Sequence, residues 1–245
     1  MGKPAKPCRA VAGPRFGVLC AVLALLAIGA LVAAEAQTSV DLQLVLAVDA
    51  SGSVSEERFQ LQQQGYVAAF RNPRLLEAIR AGSAGAIAVT MVQWTGPALQ
   101  IQVMPWMRID SPASMQRVAD TINLIPRQLF GGGTSISGAI DHALSLFPSS
   151  TFSSVRRIID ISGDGANNRG RPAEAARDDA VRAGVGINGL PILALEPDLE
   201  QYYLQHVIGG PGAFVVAAKS YETFADAVLK KLVTEVAAAT ANRLR

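Results

Sequence analysis

Cysteine is nearly missing from this chain. Its two cysteines, Cys8 and Cys20, both sit at the N-terminus, and two cysteines cannot build a disulfide framework. Histidine is equally scarce, with His142 and His206 far apart in sequence. A Ser-His-Asp triad needs an oriented nucleophile, and no G-x-S-x-G elbow occurs, so neither histidine is expected to catalyse. Charged residues make up only 17%, and the formal net charge of +2 has no Lys/Arg cluster behind it, so nucleic acid is not an expected partner. No internal repeat and no low-complexity linker divides the chain. What is abundant is apolar residues, at 50%, which excludes a disordered chain. At 245 residues, the length suggests one domain of roughly 200 residues plus an appendage.

The appendage is readable. Lys3, Lys6, Arg9 and Arg15 precede an uncharged run from Phe16 to Ala34, followed by Ala34-Glu35-Ala36 and Gln37. A basic stretch, an apolar stretch and small residues at −3 and −1 make a secretory signal pattern, with the cut expected after Ala36. The alternative is an uncleaved membrane anchor, since the run is long enough to span a bilayer. Either way the remainder, residues 37–245, is expected to be exported to the periplasm or the cell exterior. Removing residues 1–36 takes away four basic residues and one acidic one (Glu35). That leaves 18 basic and 19 acidic residues, net −1, and no cysteine.

Within residues 37–245, strand-like and helix-like patterns alternate. Val40–Val48, Ala86–Trp94, Leu99–Met107, Val155–Ile161, Val185–Leu195 and Ala213–Val216 read as strands. The turn Thr95-Gly96-Pro97 makes the second and third of these a hairpin. Helices are expected at Glu56–Phe70, Pro73–Ala81, Ser111–Ile125, Thr134–Phe147, Pro172–Ala183, Asp198–Val207 and Tyr221–Ala237. Strands separated by helices imply βαβ units. The expected class is therefore α/β: a doubly wound, mostly parallel sheet with one antiparallel edge strand and helices on both faces. Near-continuous apolar runs such as Arg157–Ile161 fit strands covered on both faces.

In such sheets ligands sit at the carboxyl ends of strands. The first strand ends in Asp49-Ala50-Ser51-Gly52-Ser53, a D-x-S-x-S pattern. A later strand ends in Ser162-Gly163-Asp164-Gly165-Ala166-Asn167-Asn168. Between them lies Gly131-Gly132-Gly133-Thr134-Ser135, just before a helix. Alternate residues of an extended loop point the same way, so Asp49, Ser51 and Ser53 can converge. Carboxylate and hydroxyl oxygens suit Mg²⁺, Mn²⁺ or Ca²⁺, and without Cys or a nearby His zinc is disfavoured. Simpler readings exist: Asp49 and Ser51 as a helix N-cap turn, Thr134 as the cap of its helix, and Asp164-Gly165 as a plain turn. Asn167 and Asn168 read as turn residues, and Trp94 and Trp106 as core packing. Gly163, Gly165 and Gly170 do not have the spacing of a dinucleotide fingerprint.

Taken together, these three loops resemble the metal-ion-dependent adhesion site (MIDAS) of the von Willebrand factor type A domain. The resemblance spans about residues 40–235. The SGDGANN segment and the signal pattern also resemble a bacterial family of secreted single-domain proteins of this type with no established function. The resemblance implies that Ser51 and Ser53 coordinate a divalent cation directly and that Thr134 is a switchable ligand. It implies that Asp49 and Asp164 act directly or through water. A carboxylate from a partner protein or peptide would complete the octahedron. One residue departs from the pattern: the family often has Thr or Ser immediately before the last Asp, and here it is Gly163.

The expected function is a secreted, metal-dependent protein-binding module, not an enzyme. A membrane partner is expected only if the N-terminal segment stays uncleaved. The alternative is a metal-assisted hydrolase of phosphatase type using the same site. Against it, residue 51 is Ser and not the second Asp of a D-x-D nucleophile, and no Lys/Arg phosphate clamp is expected near the loops. A third reading is a purely structural domain.

Overall fold

The computed structural model describes residues 1–2 and 37–241. The expected signal segment, with its cut after Ala36, lies outside the described residues. Among the described residues, no helix is long and apolar enough to cross a membrane.

Residues 37–241 fold around a five-stranded sheet. The strands are β2 (Leu42–Asp49), β3 (Ile87–Trp94), β4 (Gln100–Ile109), β6 (Arg157–Gly163) and β7 (Gly186–Pro191), in the order β4-β3-β2-β6-β7. All neighbouring pairs are parallel except β3–β4, the expected hairpin. A separate pair of two-residue strands, β1 (Thr38–Ser39) and β5 (Phe152–Ser153), escapes the sequence reading because two residues are too few to show a period.

The helices are α1 (Glu56–Arg71), α2 (Pro73–Arg80), α3 (Pro112–Leu124), α4 (Ile136–Leu146), α5 (Ala173–Arg182), α6 (Leu199–Tyr202) and α7 (Phe224–Ala241). Their caps follow local rules. Ser55 caps α1 by accepting from the Arg58 amide, and Ser111 and Ser114 form a reciprocal box at the start of α3. The helix expected over Asp198–Val207 changes at Tyr203, where a π-helical turn runs to Val207.

Strand β2 shows why the sheet is covered on both sides. All eight of its residues are buried. Leu42, Leu44, Leu46 and Val48 pack with α1, α2, α3 and α7, while Val45 and Ala47 pack with α4, α5 and the Tyr203 segment. The side-chain period of two sends alternate residues to opposite cores, so Leu44–Val48 is apolar without a break, and the buried Gln43 before it donates its side-chain amide to the Phe152 carbonyl. Strand β4 is an edge. It carries Pro105 and a register shift against β3, both of which blunt an edge against further pairing.

The strand expected over Ala213–Val216 reduces to isolated bridges, Gly189 to Val215 and Ile192 to Ala218. The Phe214 amide donates to the Asn188 side chain instead of a ladder carbonyl. The strand expected over Val185–Leu195 ends at Pro191.

Candidate functional site

β2 and β6 are neighbours, and the chain leaves β2 toward β3 on one side and reaches β6 on the other. Their carboxyl ends therefore mark the crevice where a doubly wound sheet binds ligands. Asp49 is the last residue of β2, and Asp164 follows the last residue of β6.

The two loops meet side chain to side chain. Asp49 Oδ1 accepts from the Ser51 amide at 2.7 Å, which turns the chain so that Ser51 and Ser53 face the same point. Their hydroxyls are 3.2 Å apart, and the Ser53 hydroxyl donates to Asp164 Oδ1 at 2.6 Å. The Asp164 amide lies 3.4 Å from Asp49 Oδ2. Asp49, Ser51 and Asp164 are buried, whereas Ser53 is exposed. Asp49 is not a helix cap: Ser55 caps α1.

Thr134 comes from the third loop. Three consecutive glycines, Gly131, Gly132 and Gly133, have φ of 69°, 89° and 82°. This left-handed run is open only to glycine without strain. It delivers Thr134 beside the Asp164 loop, where a Cβ on Gly165 would lie 3.8 Å from Thr134 Oγ1. The cap of α4 is Ser135, which accepts from the Gly138 amide, so the Thr134 hydroxyl is not used as a cap. Asn168 and Asn167 are more than turn residues. Asn168 Oδ1 accepts from the Thr134 amide at 2.9 Å, and Asn167 Oδ1 accepts from the Ser137 amide at 3.1 Å. They tie the Asp164 loop to the Thr134 loop.

The departure at Gly163 has a steric cause. A Cβ there would lie 2.9 Å from Asp49 Oδ2, 3.1 Å from Trp94 Cζ2 and 3.1 Å from the Tyr203 hydroxyl. Ser162 does not substitute for the usual residue. Its hydroxyl accepts from Tyr66 at 3.2 Å, away from the two aspartates.

Two buried carboxylates so close together are electrostatically uncomfortable. Burial, and then the neighbouring Asp164, pushes the Asp49 carboxyl up to about 7. Asp164 is engaged from below by the Tyr221 hydroxyl, which donates to Oδ2 at 2.8 Å. Burial and Asp164 hold Tyr221 protonated, well above its ordinary range. Tyr221 has no signature in the sequence, since its partner is 57 residues away.

Two arginines distant in sequence from the Asp164 loop approach these loops. Arg58 Nη1 stands 3.9 Å from Asp164 Oδ2, and Arg127 Nη2 lies against the Ser51 loop. Both are spent on the backbone, however. Arg58 donates to the Ser53 carbonyl at 2.8 Å, and Arg127 to the Ala50 and Ser51 carbonyls at 2.9 Å each. Arg171 is paired with Asp141 and Asp179. Glu196 was not anticipated; its Oε2 accepts from the Ala166 amide at 3.1 Å.

His206 pairs with Glu174, and burial lowers the His142 pKa. Neither makes a hydrogen bond or ion pair with the five residues above among the described contacts. Trp94 is buried in the core, and Trp106, partly buried, packs against it.

Residues 39–240 match the family described as "Protein of unknown function (DUF1194)". The chain belongs to the DUF1194 family. This DUF1194 chain is also similar to solved structures. With proximal thread matrix protein 1 (PTMP1) from the mussel byssus it gives a TM-score of 0.59 and 16% identity, over 82% of this chain and 49% of that one. With the pilus adhesin SpaC from Lactobacillus rhamnosus GG the values are 0.58 and 15%, over 82% and 31%. With a von Willebrand factor type A protein from Catenulispora acidiphila they are 0.50 and 14%, over 82% and 43%. Likeness at these identities is one of fold, and the fold is that of the von Willebrand factor type A domain. The chain spans about half or less of each of these proteins. One PTMP1 structure carries a zinc-occupied MIDAS motif. No curated protein sequence matches the chain.

The residues present fit a divalent cation. Two buried carboxylates, Asp49 and Asp164, lie with the Ser51 and Ser53 hydroxyls in one chain of contacts, and the Thr134 hydroxyl makes no hydrogen bond among the described residues. No group of three or more His, Cys, Asp or Glu side chains able to hold a metal occurs among the described residues. The donor set is thus mixed carboxylate and hydroxyl oxygen, which suits hard cations.

Proposed function

We propose that this DUF1194 protein is an exported binding module. In this reading Asp49, Ser51, Ser53, Thr134 and Asp164 hold a divalent cation, Mg²⁺ or else Mn²⁺ or Ca²⁺, that captures an acidic group of a protein or peptide partner. Residues 1–36 would act as its export signal, and 37–245 as the binding domain.

The observation that carries the reading is the unbalanced pair of buried aspartates at the sheet's switch point. Among the described residues Asp164 has one ion-pair partner, Arg58 at 3.9 Å, and Asp49 has none, while Asp164 accepts from a hydroxyl of the Ser51–Ser53 pair. A bound cation would supply positive charge and at least one coordination position open to an incoming oxygen. The chain's own residues then have separate tasks. The Ser51 amide orients Asp49, and Tyr221 orients Asp164. Asn168 fixes the backbone at Thr134, so that its hydroxyl is presented beside Gly165. Metal and partner would reinforce each other's affinity by the same factor.

The hydrolase alternative draws less support. Arg58 and Arg127 are committed to backbone carbonyls, which leaves Arg169 as a single exposed arginine beside the Thr134 loop in place of a multi-residue phosphate clamp.

Cross-linking capture of partners from the exported compartment tests the reading. Capture is expected with Mg²⁺ and not with EDTA, and it should be lost in Ser51→Ala. Capture indifferent to both would sink the reading.

A further inference from the structure

The candidate cation site has an uncharged side. Thr95–Leu99, the β3–β4 turn, and residues 129–133 contain no charged side chain and only one polar one, Thr95. The two segments are packed on each other. The Ser135 amide donates to the Thr95 carbonyl at 2.7 Å, and a Cβ on Gly132 would fall 2.7 Å from Leu99 Cδ1. On this platform two large apolar side chains face solvent: Phe130 is 64% exposed and Leu99 42%.

The platform is fastened to the cation loops. The Phe130 ring lies 4.7 Å from the Arg127 guanidinium, which itself donates to the Ser51 carbonyl. Gln93 holds the segment from beneath, donating to the Pro126 carbonyl and accepting from the Gln128 amide. At the far side of Thr134, the Arg169 stem crosses Gly133. Arg169 is exposed and makes no ion pair among the described residues. Exposed apolar side chains scattered singly mean little. Here the two project from segments that pack on each other, and one of these segments meets the cation loop, since a Cβ on Gly52 would lie 3.6 Å from the Gly131 Cα; the exposed Arg169 is alongside Gly133.

We propose that this platform selects the partner: a short acidic segment of another protein with a bulky apolar or aromatic residue next to its coordinating carboxylate. The inference rests on the reading under Proposed function. The apolar residue covers Phe130 and Leu99 while the carboxylate reaches the cation. The Arg169 charge and the cation both favour an acidic segment over a basic one.

The test uses short fluorescent peptides with a central Asp, flanked in turn by Phe, Leu, Ser or Lys. Their binding to the protein is measured by polarisation in Mn²⁺ and in EDTA. Peptides with Phe or Leu should bind at least about tenfold tighter than those with Ser, as burial of one such side chain allows. In the double variant Phe130→Ser/Leu99→Ser that preference should vanish. Calorimetric titration of the same variant with Mn²⁺ alone should match the wild type. Three outcomes overturn the proposal: binding without an apolar preference, a preference that survives the double variant or persists in EDTA, or no peptide bound by a protein that does bind Mn²⁺. Failure of the wild type to bind Mn²⁺ is a separate result and overturns the functional reading beneath it.

Discussion

Strand β6 and the residue just after it supply two buried aspartates with opposite surroundings. Asp160 lies mid-strand and faces α7, where Lys231 Nζ is 2.5 Å from its Oδ1 and both side chains are fully buried. Beside it Glu235 takes Arg156 at 2.5 Å and also accepts from the Asn188 side chain. Asp164, four residues later, faces Asp49 and hydroxyls, with its nearest cation, Arg58, held off at 3.9 Å. The first region balances its charges from within the chain. The second leaves a negative pair unbalanced at a strand end. Buried charge is costly unless paired. The difference therefore separates a structural device, which anchors α7, from the place where we propose an external cation.

The comparison can be broken first at the balanced region. Lys231→Met leaves Asp160 buried without its partner and should cost about 3–5 kcal/mol in chemical denaturation. Adding Asp160→Asn should recover most of the loss. Burial, opposed by Lys231 and aided by Glu235, already sets Asp160 above its ordinary value. A carboxyl raised in the folded state stabilises at low pH, and that contribution is lost as pH rises through its folded pKa. The deficit of Lys231→Met should thus be larger at pH 8 than at pH 5. A deficit that shrinks toward pH 8 would show that Asp160 is not the group left uncompensated.

The unbalanced region can be probed at Gly163. Gly163→Thr should destabilise by about 1–3 kcal/mol, because a side chain must displace Asp49, Trp94 or Tyr203. Melting at the wild-type temperature would mean that the close approach is not tight. A smaller effect is expected from Asn168→Ala, at about 0.5–1.5 kcal/mol for one lost hydrogen bond. It should also weaken Mn²⁺ binding by loosening the Thr134 loop; unchanged affinity would detach Asn168 from the site.

These regions also differ in how far the sequence reveals them. Asp49, Ser51 and Ser53 stand out because an apolar strand stops abruptly in polar residues spaced two apart. The same holds for Asp164. The unbroken apolar run Leu44–Val48 of β2 announces a doubly covered sheet, and Thr95-Gly96-Pro97 announces the hairpin. The remainder depends on distance in the chain. Tyr221 meets Asp164 across 57 positions, and Asn168 meets Thr134 across 34. Asp160 hides inside an apolar run, and its partner Lys231 sits on a helix whose pattern gives no sign that a lysine is buried. No local period encodes such pairs. Gly163 reads as a defect until Trp94 and Tyr203 are seen against it.

The central claim is that Asp49 and Asp164 form an incomplete charge cluster that an external cation completes. Thermal unfolding of the wild type and of Asp49→Asn, each in EDTA and across a Mg²⁺ or Mn²⁺ titration, tests it most directly. The wild-type midpoint should rise with metal concentration, as for any ligand that binds the folded state alone. Asp49→Asn should melt at or above the metal-free wild type, because the repulsion is relieved, and should not respond to metal. A wild-type midpoint that ignores both cations, or an equal rise in Asp49→Asn, would contradict the account.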